Sequence, residues 1–372
     1  MQRYRVPLDR VHGRATLGEA VEALRAAGSS LVAGRMLDSQ WVERAVWLDT
    51  ETTGLAGGTG TYVFLVGLGY LEDGHLMVEQ HFLADLAAEA HFLRNILATL
   101  REFEVLITFN GRRFDWPLLT TRFSMHRLRA PWDDPLHLDL MHPAARLWRR
   151  PLGTYRLSAL EANVLGVTRE ADVASYLIPS LYLHYLRSGE RDALEPVFPH
   201  NRMDVISVVG LLGHLARCLA DAGAPPAGPM DWAGLATLRD LRRDLPGAIR
   251  AYEVAIRDEG DQRMYRRLVR RLASLYRRSG RPGDAMALWE RETARLEVWG
   301  PAAYVEVAKI CEHLKGDLCA ALEASRRALD VALAQKPAAN HLARTAPASG
   351  SDVDALRHRV ARLERRLTTS AG

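Results

Sequence analysis

Between residues 222 and 229 the chain reads Ala-Gly-Ala-Pro-Pro-Ala-Gly-Pro. Each proline lacks a backbone N–H and fixes φ, and the two glycines add freedom instead of order, so neither a helix nor a central strand runs through this stretch. It predicts an interdomain linker, and whatever folds must do so separately on its two sides. With 372 residues there is chain enough for a core on each.

The two sides carry different patterns. Upstream, residues 45–49 (AVWLD) form a short apolar run, and two β-rich runs, 62–71 and 75–83, are joined through Asp73-Gly74, a hairpin signal. A helical spacing over 87–100, a strand at 105–109 and a helix from about Phe114 follow. The order βββαβα, with three adjacent antiparallel strands, opens a ribonuclease-H-like α/β sheet, and further helices are expected over 158–165, 180–187 and 203–219. Downstream the chain reads as helical and repeats: Ala248, Ala285 and Ala321 are 37 and 36 residues apart, each one turn before Tyr252, Trp289 and Ser325. This period is similar to the tetratricopeptide pattern, in which small residues let paired helices approach. The expected organisation is an N-terminal extension (1–39), an α/β domain (40–221), a linker (222–230), helical repeats (231–334), a second linker (335–351) and a C-terminal helix (352–372).

Composition removes several function classes. No run of eighteen apolar residues exists and the first twenty residues are charged, which predicts a soluble cytoplasmic protein without a membrane partner. Cys218, Cys311 and Cys319 form no CxxC pair, against a disulfide framework or a structural zinc site. The net charge of +4 is uneven: residues 1–230 hold 23 basic and 26 acidic side chains, residues 231–372 hold 26 and 19. Eight arginines between Arg263 and Arg281 are interleaved with Tyr265, Leu268, Leu272 and Tyr276, a basic helical face suited to a nucleic-acid backbone or simply to solvent. The stretch 54–61 (GLAGGTGT) lacks the lysine of a phosphate loop and reads as a flexible rim.

Three acidic segments carry the chemistry. Asp49 and Glu51 alternate on one strand and project to one face, where two carboxylates so close repel unless a hard divalent cation such as Mg²⁺ or Mn²⁺ neutralises them. Asp115 falls at the strand-to-helix junction after Asn110-Gly111, where it serves either as a further ligand or as a helix cap. His200 and Asp204, four apart, share one face of the helix they open.

Together LDTETTGL (48–55), NGRRFD (110–115) and HNRMD (200–204) resemble the three ordered motifs of the DEDD superfamily of 3′→5′ exonucleases, and the chain is most similar to a bacterial group in which that domain precedes tetratricopeptide repeats. Three residues separate His200 from Asp204, the spacing of the tyrosine branch, so His200 stands where a tyrosine often lies; NGxxFD also resembles polymerase proofreading domains. The resemblance implies hydrolysis of single-stranded DNA or RNA from a 3′ end. Asp49, Glu51, Asp115 and Asp204 would hold two cations, and His200 would take the proton from water. It further implies terminal-nucleotide contacts from Thr52 and Leu55 and substrate contacts near Asn110, with Arg112 and Arg113 as phosphate-binding candidates. An endonuclease on the same fold, or a repeat scaffold that recruits a protein partner, are the alternatives.

Overall fold

The computed structural model describes residues 1–27, 37–54, 58–133, 135–169, 172–220, 228–334 and 350–370. The chain divides into two compact units, Met1–Arg242 and Arg243–Gly372.

The first unit is α/β. In chain order it contains β1 (Gln2–Pro7), β2 (Val11–His12), β3 (Ala15–Thr16), α1 (Leu17–Ala27), β4 (Ala45–Thr52), β5 (Val63–Glu72), β6 (His75–Phe82), α2 (Glu89–Leu100), β7 (Val105–Thr108), α3 (Asp115–Met125), β8 (Leu136–Asp139), α4 (Met141–Leu152), α5 (Leu157–Leu160), α6 (Ile178–Ser188), α7 (Val197–Leu219) and α8 (Trp232–Leu241). Six strands form one sheet in the order β1-β6-β5-β4-β7-β8. β4, β5 and β6 pair antiparallel, as the hairpin signal predicts, and both Asp73 and Gly74 adopt positive φ, the conformation of the tight turn that matches strand twist. β7 and β8 add in parallel, each after a helical crossover.

The sheet is covered on both faces. The first eight residues of β5 are all buried, so this strand reads as a continuous apolar run instead of an alternating one. Val46 and Leu48 of β4 face a core built with Phe92, Ile96, Leu119, Phe123 and Tyr182 from α2, α3 and α6. The opposite face carries α7, which lies close because β5 offers glycine there. A Cβ on Gly67 would sit 2.5 Å from Asn201 Oδ1, and one on Gly69 2.6 Å from Val205 Cγ1.

Two boundaries depart from expectation. Of the expected extension 1–39, residues 1–27 are not an appendage. β1 pairs with β6 along its whole length, and α1 packs on α7 where a Cβ on Gly213 would meet Ala20 at 2.5 Å. Only Val6 of β1 is buried, so this edge strand lacks the apolar alternation that marks strands in a sequence. At the other end α8, expected within the repeats, belongs to the first unit. The Asp231 N–H donates to Leu147 O, Arg239 Nη2 donates to Cys218 O and Ala220 O, and Gly234 abuts the Arg146 carbonyl. Most of the intervening linker, 221–227, lies outside the described residues.

The second unit is helical: α9 (Leu245–Ala255), α10 (Gln262–Arg278), α11 (Pro282–Thr293), α12 (Leu296–Trp299), α13 (Ala302–Ile310), α14 (Leu318–Ala334) and α15 (Gly350–Ser370). The main packing runs from α9 to α10, α11, α13, α14 and α15 in turn, as in a stack. Ala248, Ala285, Ala321, Tyr252, Trp289 and Ser325 are all buried. The proposed second linker, 335–351, falls almost wholly outside the described residues, and α15 docks on what precedes it by burying Leu356 and Leu363. Arg359, Arg362 and Arg366 of α15 converge on the buried Glu312 at 2.5–2.9 Å. The Arg362 hydrogen bond is the main influence holding this carboxyl down to about 2, below its ordinary 4.5. The ionised form is therefore the docked one: its contribution is present above about pH 4.5 and disappears as pH falls through about 2. Glu312→Gln should expose α15 to limited proteolysis at pH 7, and acid alone should do the same to the wild type as pH approaches about 2. Unchanged cleavage in the variant would show that apolar contacts suffice.

Candidate active site

Four carboxylates from three elements gather at the carboxyl end of the central strand. Asp49 and Glu51 lie near the end of β4 beside α7, and a bulge at Glu51/Thr52 turns the strand there. Asp115 is the first residue of α3 and leaves the helix uncapped, accepting a hydrogen bond from the Thr50 hydroxyl at 2.5 Å. Asp204 comes from α7. This helix begins at Val197, earlier than the apolar run suggests, so His200, Asn201 and Asp204 all occupy its first two turns.

Helix α7 is fitted to the strand residue by residue. Asn201, fully buried, donates from Nδ2 to Asp49 Oδ2 at 2.8 Å, while its own Oδ1 accepts from Gln80 Nε2 at 2.7 Å. His200 Nε2 lies 3.8 Å from Glu51 Oε1 and 3.6 Å from Asp204 Oδ2. On the other side of the ring, Nδ1 is 2.6 Å from Asp172 Oδ1 and 3.2 Å from Arg169 Nη1; pairing with the Asp172 carboxylate suits a proton on Nδ1, which makes Nε2 the acceptor. Arg169 binds Glu161, Asp172 and Asp204 together.

Electrostatics shows how tightly the acids crowd. Burial, followed by the negative charges of Asp204, Glu51 and Asp115, pushes Asp49 well above the carboxylate range. Burial and the charges of Asp204 and Asp115 do the same to Glu51. Asp115 is raised to about 6, chiefly by burial, with the Thr50 hydrogen bond opposing. Among the described residues no three His, Cys, Asp or Glu side chains converge as a ready-made metal-ligand group. Their oxygens are turned instead to Asn201, Thr50 and Arg169. The donors nonetheless suit a hard divalent cation: all are carboxylate oxygens, and their mutual repulsion is what such an ion would relieve.

The flanking candidates separate. Thr52 donates to Gly54 O at 2.9 Å at the start of the glycine-rich rim, and Leu55 lies outside the described residues. Asn110 takes a left-handed turn at φ 69°, and its buried Oδ1 accepts no hydrogen bond among the described residues. Asp139 fixes this turn by accepting from the N–H groups of Asn110, Arg112 and Met141 at 2.7–3.0 Å, a structural part. Arg112 donates to His137 O at 2.7 Å, so its guanidinium is engaged with β8, whereas Arg113 is exposed. The far end of the rim is pinned: buried Arg122 donates to Thr59 O at 2.7 Å and sits 4.1 Å above the Tyr62 ring.

Asn201, Thr50, Asp172, Arg169 and Glu161 were not marked by sequence reasoning. Asn201 and Thr50 sit inside the acidic segments, yet a polar residue between acids carries no signal of its partner. Arg169 and Asp172 occupy a connection with neither periodicity nor motif.

A family model of the RNase_H superfamily matches residues 46–216, the stretch that holds the central strands and runs through α7. Residues 46–216 fold as a ribonuclease-H-like α/β domain. This RNase H-like domain accounts for less than the whole likeness to known proteins. Over 366 residues, spanning 98% of this chain and 85% of the relative, the chain is 29% identical to a Bacillus subtilis (strain 168) protein described as "Uncharacterized protein YprB". That likeness therefore runs through the helical unit as well.

Proposed function

We propose that the RNase H-like domain is a divalent-cation-dependent 3′→5′ exonuclease acting on single-stranded nucleic acid. The observation that carries this reading is the gathering of Asp49, Glu51, Asp115 and Asp204 from β4, α3 and α7 at one strand end, where burial and neighbouring negative charge drive the Asp49 and Glu51 carboxyls upward and burial raises Asp115. These four would hold two Mg²⁺ or Mn²⁺ ions, which would supply charge neutralisation at the phosphodiester and a more acidic attacking water. His200 takes that water's proton at Nε2 while Asp172 holds Nδ1. The water oxygen joins phosphorus, the bond from phosphorus to O3′ breaks, and the proton ends on the departing 3′ hydroxyl.

Exposed aromatics beside the site favour an unpaired strand, because a base freed from its complement stacks on such rings. Phe114, next to Asp115, is 45% exposed, and Tyr176, next to Ser175 at His200, is 79% exposed. Thr52 and Asn110 border the terminal nucleotide in this reading, with Arg113 free to reach a phosphate.

The helical unit, read as tetratricopeptide-like, contributes a surface of the matching sign. On α10, Arg263, Arg267, Arg270, Arg277 and Arg278 are exposed while Tyr265, Leu268, Leu272 and Tyr276 are buried. At about 100° per residue these five arginines fall within one face of the helix. No helix of the described residues is long and apolar enough to cross a membrane.

The test is degradation of 5′-labelled single-stranded DNA and RNA with Mn²⁺, Mg²⁺ or EDTA. A cation-dependent ladder shortening from the 3′ end, on linear but not circular substrate, is expected. Binding should weaken steeply with salt, less steeply once the α10 arginines become glutamine. Cleavage of circles would point to the endonuclease, and no cleavage with any cation would move the reading to a scaffold for a protein partner.

A further inference from the structure

Arg169 lies outside the three acidic segments, yet its side chain is only 10% exposed and its guanidinium meets three carboxylates. Nη2 and Nε donate to the two oxygens of Glu161 at 2.5 and 2.9 Å, and Nη1 donates to Asp172 Oδ2 at 3.1 Å. Nη2 also donates to Oδ1 of Asp204. Among the described residues, no other arginine or lysine forms an ion pair with any of the four site acids. The other oxygen of Asp204 lies 3.6 Å from His200 Nε2, beyond hydrogen-bond distance, so Arg169 is what holds this carboxylate, and a cation that takes both of its oxygens must displace that contact.

We propose that Arg169 is the resident counter-cation of the acidic site: its guanidinium competes with a divalent ion for Asp204, and it yields that carboxylate on ion binding while staying anchored on Glu161 and Asp172. The proposal rests on the cation-dependent reading above and adds the group that the cation must displace. The fork explains why the exchange is feasible. Two hydrogen bonds to Glu161 and one to Asp172 survive the loss of Asp204, so Arg169 need only withdraw one donor, and its planar geometry keeps the rest aligned. Since arginine does not lose its proton, the competition is not abolished by pH within the working range. Arg169 is therefore a positioning residue that acts through Asp204. It keeps the crowded acids folded when the cation is scarce and raises the cation concentration at which the site fills.

Calorimetric titration of the full chain with Mn²⁺ tests this. Folded Arg169→Met should bind Mn²⁺ about tenfold more tightly than wild type, the scale of one charge-assisted hydrogen bond no longer to be displaced. Equal or weaker binding by the folded variant would overturn the proposal. Should the variant not fold, the wild type is read directly from its ¹⁵N-labelled arginine side chains. Saturating Mg²⁺ should shift the Arg169 Nη signal while the Nε signal at Glu161 persists, with Arg169→Lys used to assign both. Cation binding that leaves both signals in place overturns this proposal alone. A wild type that binds neither Mn²⁺ nor Mg²⁺ overturns it together with the cation-dependent reading of the site.

Discussion

Asp49→Asn should abolish cation-dependent cleavage, by about a thousandfold or more, which corresponds to about 4 kcal/mol in the barrier, while making the cation-free protein more stable. The two effects share one cause. Asp49 is buried and surrounded by Asp204, Glu51 and Asp115, so its ionised form is disfavoured in the fold. A carboxyl group whose folded pKa is raised destabilises the native state at any pH above its ordinary value of 3.8, neutral pH included. Asparagine removes that charge yet still offers an oxygen to Asn201 Nδ2. Thermal unfolding should therefore show a higher midpoint without cation and a smaller gain on adding Mn²⁺. His200→Asn should lose less activity than Asp49→Asn, because the cations acidify the water without it. A stable Asp49→Asn protein that cleaves at the wild-type rate would remove Asp49 from the site.

Gly67→Ala is expected to damage activity more than its single methyl suggests. The new Cβ would stand 2.5 Å from Asn201 Oδ1, and Asn201 is the residue that holds Asp49 and accepts from Gln80. Either α7 lifts from the sheet, which misplaces His200 and Asp204 relative to Glu51, or Asn201 turns away, which releases Asp49. Overpacking of this kind costs about 1–3 kcal/mol of stability, and a displacement near 1 Å in a reacting constellation costs about a hundredfold in rate. Gly69→Ala makes the control. Its Cβ would meet a methyl of Val205 at 2.6 Å, not a site residue, so stability should fall comparably with less loss of turnover, and Val205→Ala should restore it. Equal turnover losses in the two glycine variants would mean that α7 moves as a rigid body and that Asn201 has no special part.

Much of the site was legible because its chemistry is local. Asp49 and Glu51 share a strand end, Asp115 opens a helix after a turn, and His200 and Asp204 are one helical turn apart; short-range periodicity orients each pair. The hairpin of β5 and β6 was equally legible, since the Asp73-Gly74 turn determines its pairing. What escaped was non-local. β1 is an edge strand with a single buried residue, α8 is a helix whose docking side no local pattern shows, and Arg169 meets Asp204 across a separation that no spacing encodes.

By itself, then, the sequence determined which residues carry the charge, which local element presents each, and that an α/β unit precedes a helical one, because these follow from backbone periodicity and turn chemistry. Only the tertiary structure decided that the amino-terminal strand completes the sheet, that two glycines seat α7 against it, and that Asn201, Thr50, Asp172 and Arg169 hold the acids in place. Those are contacts between distant segments, made by close packing and buried hydrogen bonds whose partners are chosen when the chain closes on itself.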